Sequence, residues 1–133
     1  MLLLFIGVFV LNSLTINVLG QEQNSSTQSY HQEFISLGES DNRIDFSAKI
    51  IDCNGTNQVL LTAFNENPNQ QIATFTILVT NIDGQSFSKN FNVTIEKGSI
   101  YSAKCGVNEH DDLKIDLPSN YDAKKVVLTI SYI

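Results

Sequence analysis

From Arg43 to the C-terminus, apolar residues recur at every second position, the period of a pleated strand with one buried side. Ile44, Phe46, Ala48 and Ile50 alternate with Asp45, Ser47 and Lys49. Cys53 is followed at once by Asn54-Gly55, a pair suited to a two-residue type I′ hairpin because both central residues there need positive φ. Residues 58–65 (QVLLTAFN) predict a second strand, more apolar than the first and therefore central in its sheet. Pro68 bars continuation of that ladder. Ala73, Phe75, Ile77 and Val79 then share one face, with Thr74, Thr76 and Thr80 opposite and a turn at Asp83-Gly84. Phe87, Phe91, Val93 and Ile95 repeat the pattern against Ser86, Ser88, Asn90, Asn92 and Thr94. A fifth strand is predicted over 100–105, with Tyr101, Ala103 and Cys105 on one face. Leu113, Ile115 and Leu117 predict a sixth, stopped by Pro118, and Val126, Leu128, Ile130 and Tyr132 the last. Between these two, Ser119 and Asp122 are spaced as a capping box, predicting a helical turn over 119–123.

About seven short strands separated by turn chemistry, with no amphipathic helical stretch, predict an all-β fold over residues 43–133: an antiparallel immunoglobulin-like β-sandwich. The likeness is to an architecture only. The chain has no Trp to pack on a disulfide, and Ala103, not Tyr, stands two residues before Cys105. A transmembrane β-barrel shares the alternation. The odd strand count, the missing aromatic girdles and the cysteine pair speak against it.

The N-terminus breaks the pattern. Residues 2–11 are an apolar run interrupted only by Gly7, long enough for a signal-peptide core but shorter than the ~20 residues of a membrane span. Asn12, Ser13, Thr15 and Asn17 follow, and the composition turns sharply polar after Gly20. Residues 1–20 are therefore expected to be a cleaved signal peptide, leaving no membrane span after cleavage. Residues 21–42, rich in Gln, Ser, Asn and Glu, are expected to be a largely disordered polar leader. Within it, residues 34–37 suffice for a short strand or a helical turn.

Charge narrows the partners. The chain carries 14 acids and 8 bases, a net charge of −6, with the bases scattered. Such a surface repels phosphate backbones and anionic lipid, which excludes nucleic acid as the expected partner. Cys53 and Cys105 are the only cysteines. Behind an export signal an even count predicts one disulfide, stabilising the fold by about 4 kcal/mol on the chain-entropy model. The expected location is secreted, extracellular or at the cell surface, or the periplasmic side of export in a bacterium.

Candidate chemistry is sparse. Three N-x-S/T sequons, at Asn24, Asn54 and Asn92, fall in a tail, at a hairpin turn and on the polar side of a strand, each accessible to a glycan. Residues 108–112 (NEHDD) are the densest group of ligand atoms, and Glu109, Asp111 and Asp112 are the candidate metal ligands, for Ca²⁺ in particular. The stretch lacks the spacing and the Gly of an EF-hand loop. His31 and His110 are the only histidines, and neither a G-x-S-x-G turn nor a Gly-rich phosphate loop occurs. No catalytic residues and no cofactor are expected. The sequence thus points to a non-enzymatic module that binds a protein or glycan partner at the cell surface, or an accessory subunit of a surface assembly. The alternative is a small secreted enzyme or calcium-dependent module using residues 108–112.

Overall fold

The computed structural model describes residues 29–133. The expected signal peptide, its cleavage position and the Asn24 sequon lie outside the described residues. Eight strands follow in order: β1 Ser29–Glu39, β2 Ile44–Cys53, β3 Thr56–Asn65, β4 Gln71–Thr80, β5 Ser86–Ile95, β6 Ile100–Ser102, β7 Lys114–Asp116 and β8 Val127–Tyr132. One 3₁₀ turn, Asp111–Leu113, precedes β7, and no α-helix occurs among the described residues.

The strands form two antiparallel sheets. The larger runs β1-β2-β3, with β6 and β7 both pairing the far edge of β3, and the smaller runs β5-β4-β8. The two sheets face each other. Phe46 of β2 meets Phe75 of β4 with ring centroids 4.6 Å apart, and Phe75 stacks on Phe91 of β5 at 4.8 Å. Around these rings the inward residues of the predicted strands are buried: Ile44, Ala48 and Ile50 on β2, Ala73, Ile77 and Val79 on β4, Val93 and Ile95 on β5. A β-sandwich is the arrangement that hides both sets at once.

The hairpin after Cys53 forms as its residues require. Asn54 has φ 53 and Gly55 φ 92, and the Gly55 amide donates to the Asp52 carboxylate at 2.8 Å. The turn at Asp83-Gly84 is wider than two residues. Strand pairing stops at Thr80 opposite Ser86, and the Asn81 amide donates to the Gln85 carbonyl at 2.7 Å.

Burial of β3 is continuous through Val59, Leu60 and Leu61, and of β2 through Ile50 and Ile51. Neighbouring residues on a strand point to opposite faces, so the larger sheet is covered on both sides at this level. Cys53 lies two residues beyond Ile51, on the same face. Its disulfide to Cys105 (Cα–Cα 5.6 Å) draws the segment after β6 across that face. The predicted fifth strand therefore ends at Ser102, short of Cys105, because the chain leaves the ladder to reach Cys53. Both cysteines belong to the five-stranded side, so the bridge does not connect the two sheets.

Two further expectations change. Within residues 21–42, expected to be largely disordered, Ser29–Glu39 is a strand paired to β2. Its apolar period is hidden by three register shifts and by mostly exposed positions. It is held by long-range bonds: His31 Nε2 to Asn57 Oδ1 at 2.8 Å, and the Gln32 amide donating to the carbonyls of Ala123 and Val126 at 3.0 and 3.1 Å. The turn after Pro118 is organised by Asp122 and not by a Ser119 cap. The Asp122 carboxylate accepts from the Lys124 amide at 3.1 Å, and its carbonyl accepts from Lys125 and Val126.

Candidate functional site

The five-stranded sheet carries a groove on the upper half of its outer face, near the ends of β1 and β3. Phe34, Ser36 and Gly38 of β1, Asp45, Phe46 and Ser47 of β2, and Thr62 and Phe64 of β3 line about 270 Å³. The alternation that sends Leu61 and Ala63 inward turns Thr62 and Phe64 outward. Phe64 pairs with Ile100 on β6, which is 62% exposed, while Phe34 is 71% exposed. Thr62 and Ser102 share a hydroxyl–hydroxyl hydrogen bond of 2.9 Å. The result is a hydroxyl-lined floor between apolar walls. The shifts in β1 between Gln32 and Ile35 and between Ser36 and Gly38 kink this edge, and Gly38 at φ 89 supplies a conformation that side chains disfavour.

One end of the groove is acidic. Glu39 of β1 pairs opposite Asp45 of β2, and Glu66 follows the last residue of β3. Carboxylate oxygens of all three lie within 4.8 Å of one another. Arg43 offers one opposing charge, 3.9 Å from Glu66. Hydrogen bonding with Asp45 and then Glu39, reinforced by burial and by their negative charges, pushes Glu66 up to about 7. Glu66 is therefore the carboxyl of this corner that holds a proton near neutrality. Close by, burial and then the charges of Asp45 and Asp41 raise the Tyr132 hydroxyl above its ordinary value. Tyr132 also lines a second opening of about 250 Å³, between Ser40, Asp41 and Asn42 and residues 72–74 of β4.

The outer face of the three-stranded sheet has no such relief. Its outward residues are Ile72, Thr74, Thr76, Leu78 and Thr80 on β4 and Ser86, Ser88, Asn90, Asn92 and Thr94 on β5. Val127, Thr129 and Ser131 complete the face on β8. None of these carries a charge. Lys89, the charged residue of β5, turns to the inner side, passes over the Phe91 ring at 5.3 Å and donates to the Lys114 carbonyl at 2.6 Å. An inward lysine on an edge strand also discourages pairing with another chain.

Cys53 and Cys105 form the disulfide. Asn54 is exposed at its hairpin tip and Asn92 on the outer face of β5. Residues 108–112 do not gather into a carboxylate cluster. Asp111 pairs with Lys114 at 2.6 Å, Glu109 with His110 at 3.9 Å, and the His110 ring stacks on Tyr101 at 4.4 Å. Among the described residues the metal-ligating groups that converge are Glu39, Asp45 and Glu66. A divalent cation would find carboxylates there, three groups with at most six oxygens, against the six to eight that Ca²⁺ takes.

Phe34, Phe64 and the acidic trio were not singled out from sequence. Phe64 was within reach, since alternation from Leu61 and Ala63 turns it to the outside. The trio was not, because its members come from β1, β2 and the residue after β3 and meet only through register. No helix among the described residues is long and apolar enough to cross a membrane. Compared with protein-family models, curated proteins and solved structures, the chain matches none.

Proposed function

We propose that this chain is an exported, non-enzymatic, immunoglobulin-like β-sandwich module that binds a glycan or protein partner at the cell surface through the groove of the five-stranded sheet. The observation that carries the reading is the exposure of Phe34 and Ile100, with Phe64 between the strands that bear them, around a floor of serine and threonine hydroxyls. Phe34, half-buried Phe64 and Ile100 together make an apolar patch on an exposed face, and such a patch marks a surface suited to a partner. Rings supply contact area at little conformational cost, and hydroxyls and carboxylates fix orientation. That donor and acceptor set suits neutral sugars, so glycans are the first ligands to test. The disulfide supports the exported location.

The test is direct binding of the multimerised mature chain to a glycan array and to cell surfaces, with Phe34→Ala and Phe64→Ala in parallel. The expected result is a defined set of ligands whose binding falls at least tenfold in either variant, with thermal stability of Phe34→Ala unchanged. Binding that is indifferent to both substitutions rejects the groove.

A second reading, a subunit of a surface assembly, is favoured by the place of β8 at the edge of the three-stranded sheet. Its outer backbone groups are available for a strand from another chain. Size-exclusion chromatography that shows only monomer at high concentration counts against self-assembly.

A further inference from the structure

The uncharged face of the three-stranded sheet is unusual in a chain of net charge −6, and it leaves Ile72 61%, Val127 59% and Leu78 39% exposed. A sequon lies within it. Asn92 and Thr94 are two residues apart on β5, so both project from this face, and both are exposed. Asn92 pairs opposite Thr74, and Thr94 opposite Ile72. That places Ile72 diagonally across from Asn92, about 7–8 Å away in an antiparallel pair. Neighbouring Asn90 accepts a 2.7 Å hydrogen bond from the Thr76 hydroxyl, but it begins no sequon.

We propose that Asn92 carries an N-linked glycan whose core lies across this face and covers Ile72. The proposal rests on the export part of the functional reading. The donor is an oligosaccharide on a polyprenyl diphosphate in the exporting compartment. The Asn92 Nδ2 nitrogen forms a bond to the anomeric carbon and loses one proton, while the bond from that carbon to the diphosphate oxygen breaks and polyprenyl diphosphate leaves with the electron pair. The folded sandwich accommodates the product because none of the described residues packs on this face. A sugar presents an apolar ring side to Ile72 and hydroxyls to the Ser, Thr and Asn around it, and the absence of charged groups spares it any ion to desolvate. With this side covered, the groove of the opposite sheet is the face left open to a partner.

The test uses the full chain expressed in eukaryotic cells and collected from medium and cells. Glycopeptide mapping, with glycosidase release in heavy-oxygen water, is expected to find Asn92 converted to labelled Asp. Asn92→Gln and Thr94→Ala should each lose one glycan and bind at least twice as much of an apolar dye, and adding Ile72→Thr should return dye binding to the starting level. Asn54→Gln, at a hairpin tip on the other sheet, should leave dye binding unchanged. A secreted chain with Cys53 and Cys105 joined but Asn92 bare overturns the proposal alone. A chain kept inside the cell with both thiols free and Asn92 bare overturns the export reading as well. An occupied Asn92 whose removal leaves dye binding unchanged refutes the covering of Ile72.

Discussion

The outer faces of the two sheets arise from the same two-residue alternation, yet they differ in charge, relief and cover. On the five-stranded sheet the outward positions of β2 and β3 mix charge, hydroxyl and ring: Asp45, Ser47, Lys49, Leu60, Thr62 and Phe64. Its lower half is covered, burying Leu60 to 1% and Ile51 to 0% exposure, and its upper half opens into the groove. The three-stranded sheet has Ser, Thr and Asn with three apolar residues, no charge and no cover from the described chain. Alternation thus decides only which side of a strand is inward. What the outward side does depends on what the rest of the chain brings to it.

The largest effect should come from removing the device that covers the first face. The Cys53→Ser/Cys105→Ser variant is expected to lose about 4 kcal/mol of unfolding free energy in urea titration, and to lose hydrogen-exchange protection earliest around Ile51 and Leu60. Next, truncating one leucine on each outer face measures the difference between them. Leu60→Ala should cost about 2–5 kcal/mol, as for a buried leucine, and Leu78→Ala within about 0.5 kcal/mol, as for a surface site. Equal costs would mean that the two faces are not differently covered.

A smaller effect concerns pH. Glu66 titrates at about 7 in the fold against an ordinary 4.5, so between those values the folded chain binds more protons than the unfolded one. Stability must then fall as pH rises through this window, being fully favoured below about 4.5 and fully penalised above about 7. The thermal midpoint of wild type minus that of Glu66→Gln, followed from pH 4 to 8, should decline across the window, and a flat difference would refute the raised Glu66 value. Smallest of all, Phe34→Ala should change stability by less than about 0.5 kcal/mol while weakening partner binding, the mark of a side chain kept for contact and not for folding.

Particular residues show how much could be read without coordinates. The inward sets of β2, β4 and β5 were legible because each lies within ten residues of its own strand, and the Asn54-Gly55 hairpin because its conformation is a property of two residues. Lys89 was passed over in the β5 pattern. It occupies an inward position and escapes along the edge to Lys114, which only the packing of the two sheets reveals. Asn65 ends β3 and Asn81 follows β4, places where no local pattern predicts a buried amide. Both are buried, Asn65 donating to the Asn69 and Ile95 carbonyls at 2.9 and 3.0 Å and Asn81 accepting from the Asp122 amide at 2.9 Å. Each ties a loop to a segment distant in sequence.

The strand period, the inward faces and the tight hairpin follow from steric preferences and burial acting over a few neighbouring residues, and so are legible in the chain. Tertiary structure alone decided that Ser29–Glu39 joins the sheet, that Glu39, Asp45 and Glu66 share one corner, and that Phe34 and Phe64 flank one groove. Those depend on the register between strands, which long-range burial and hydrogen bonding fix and no local window contains.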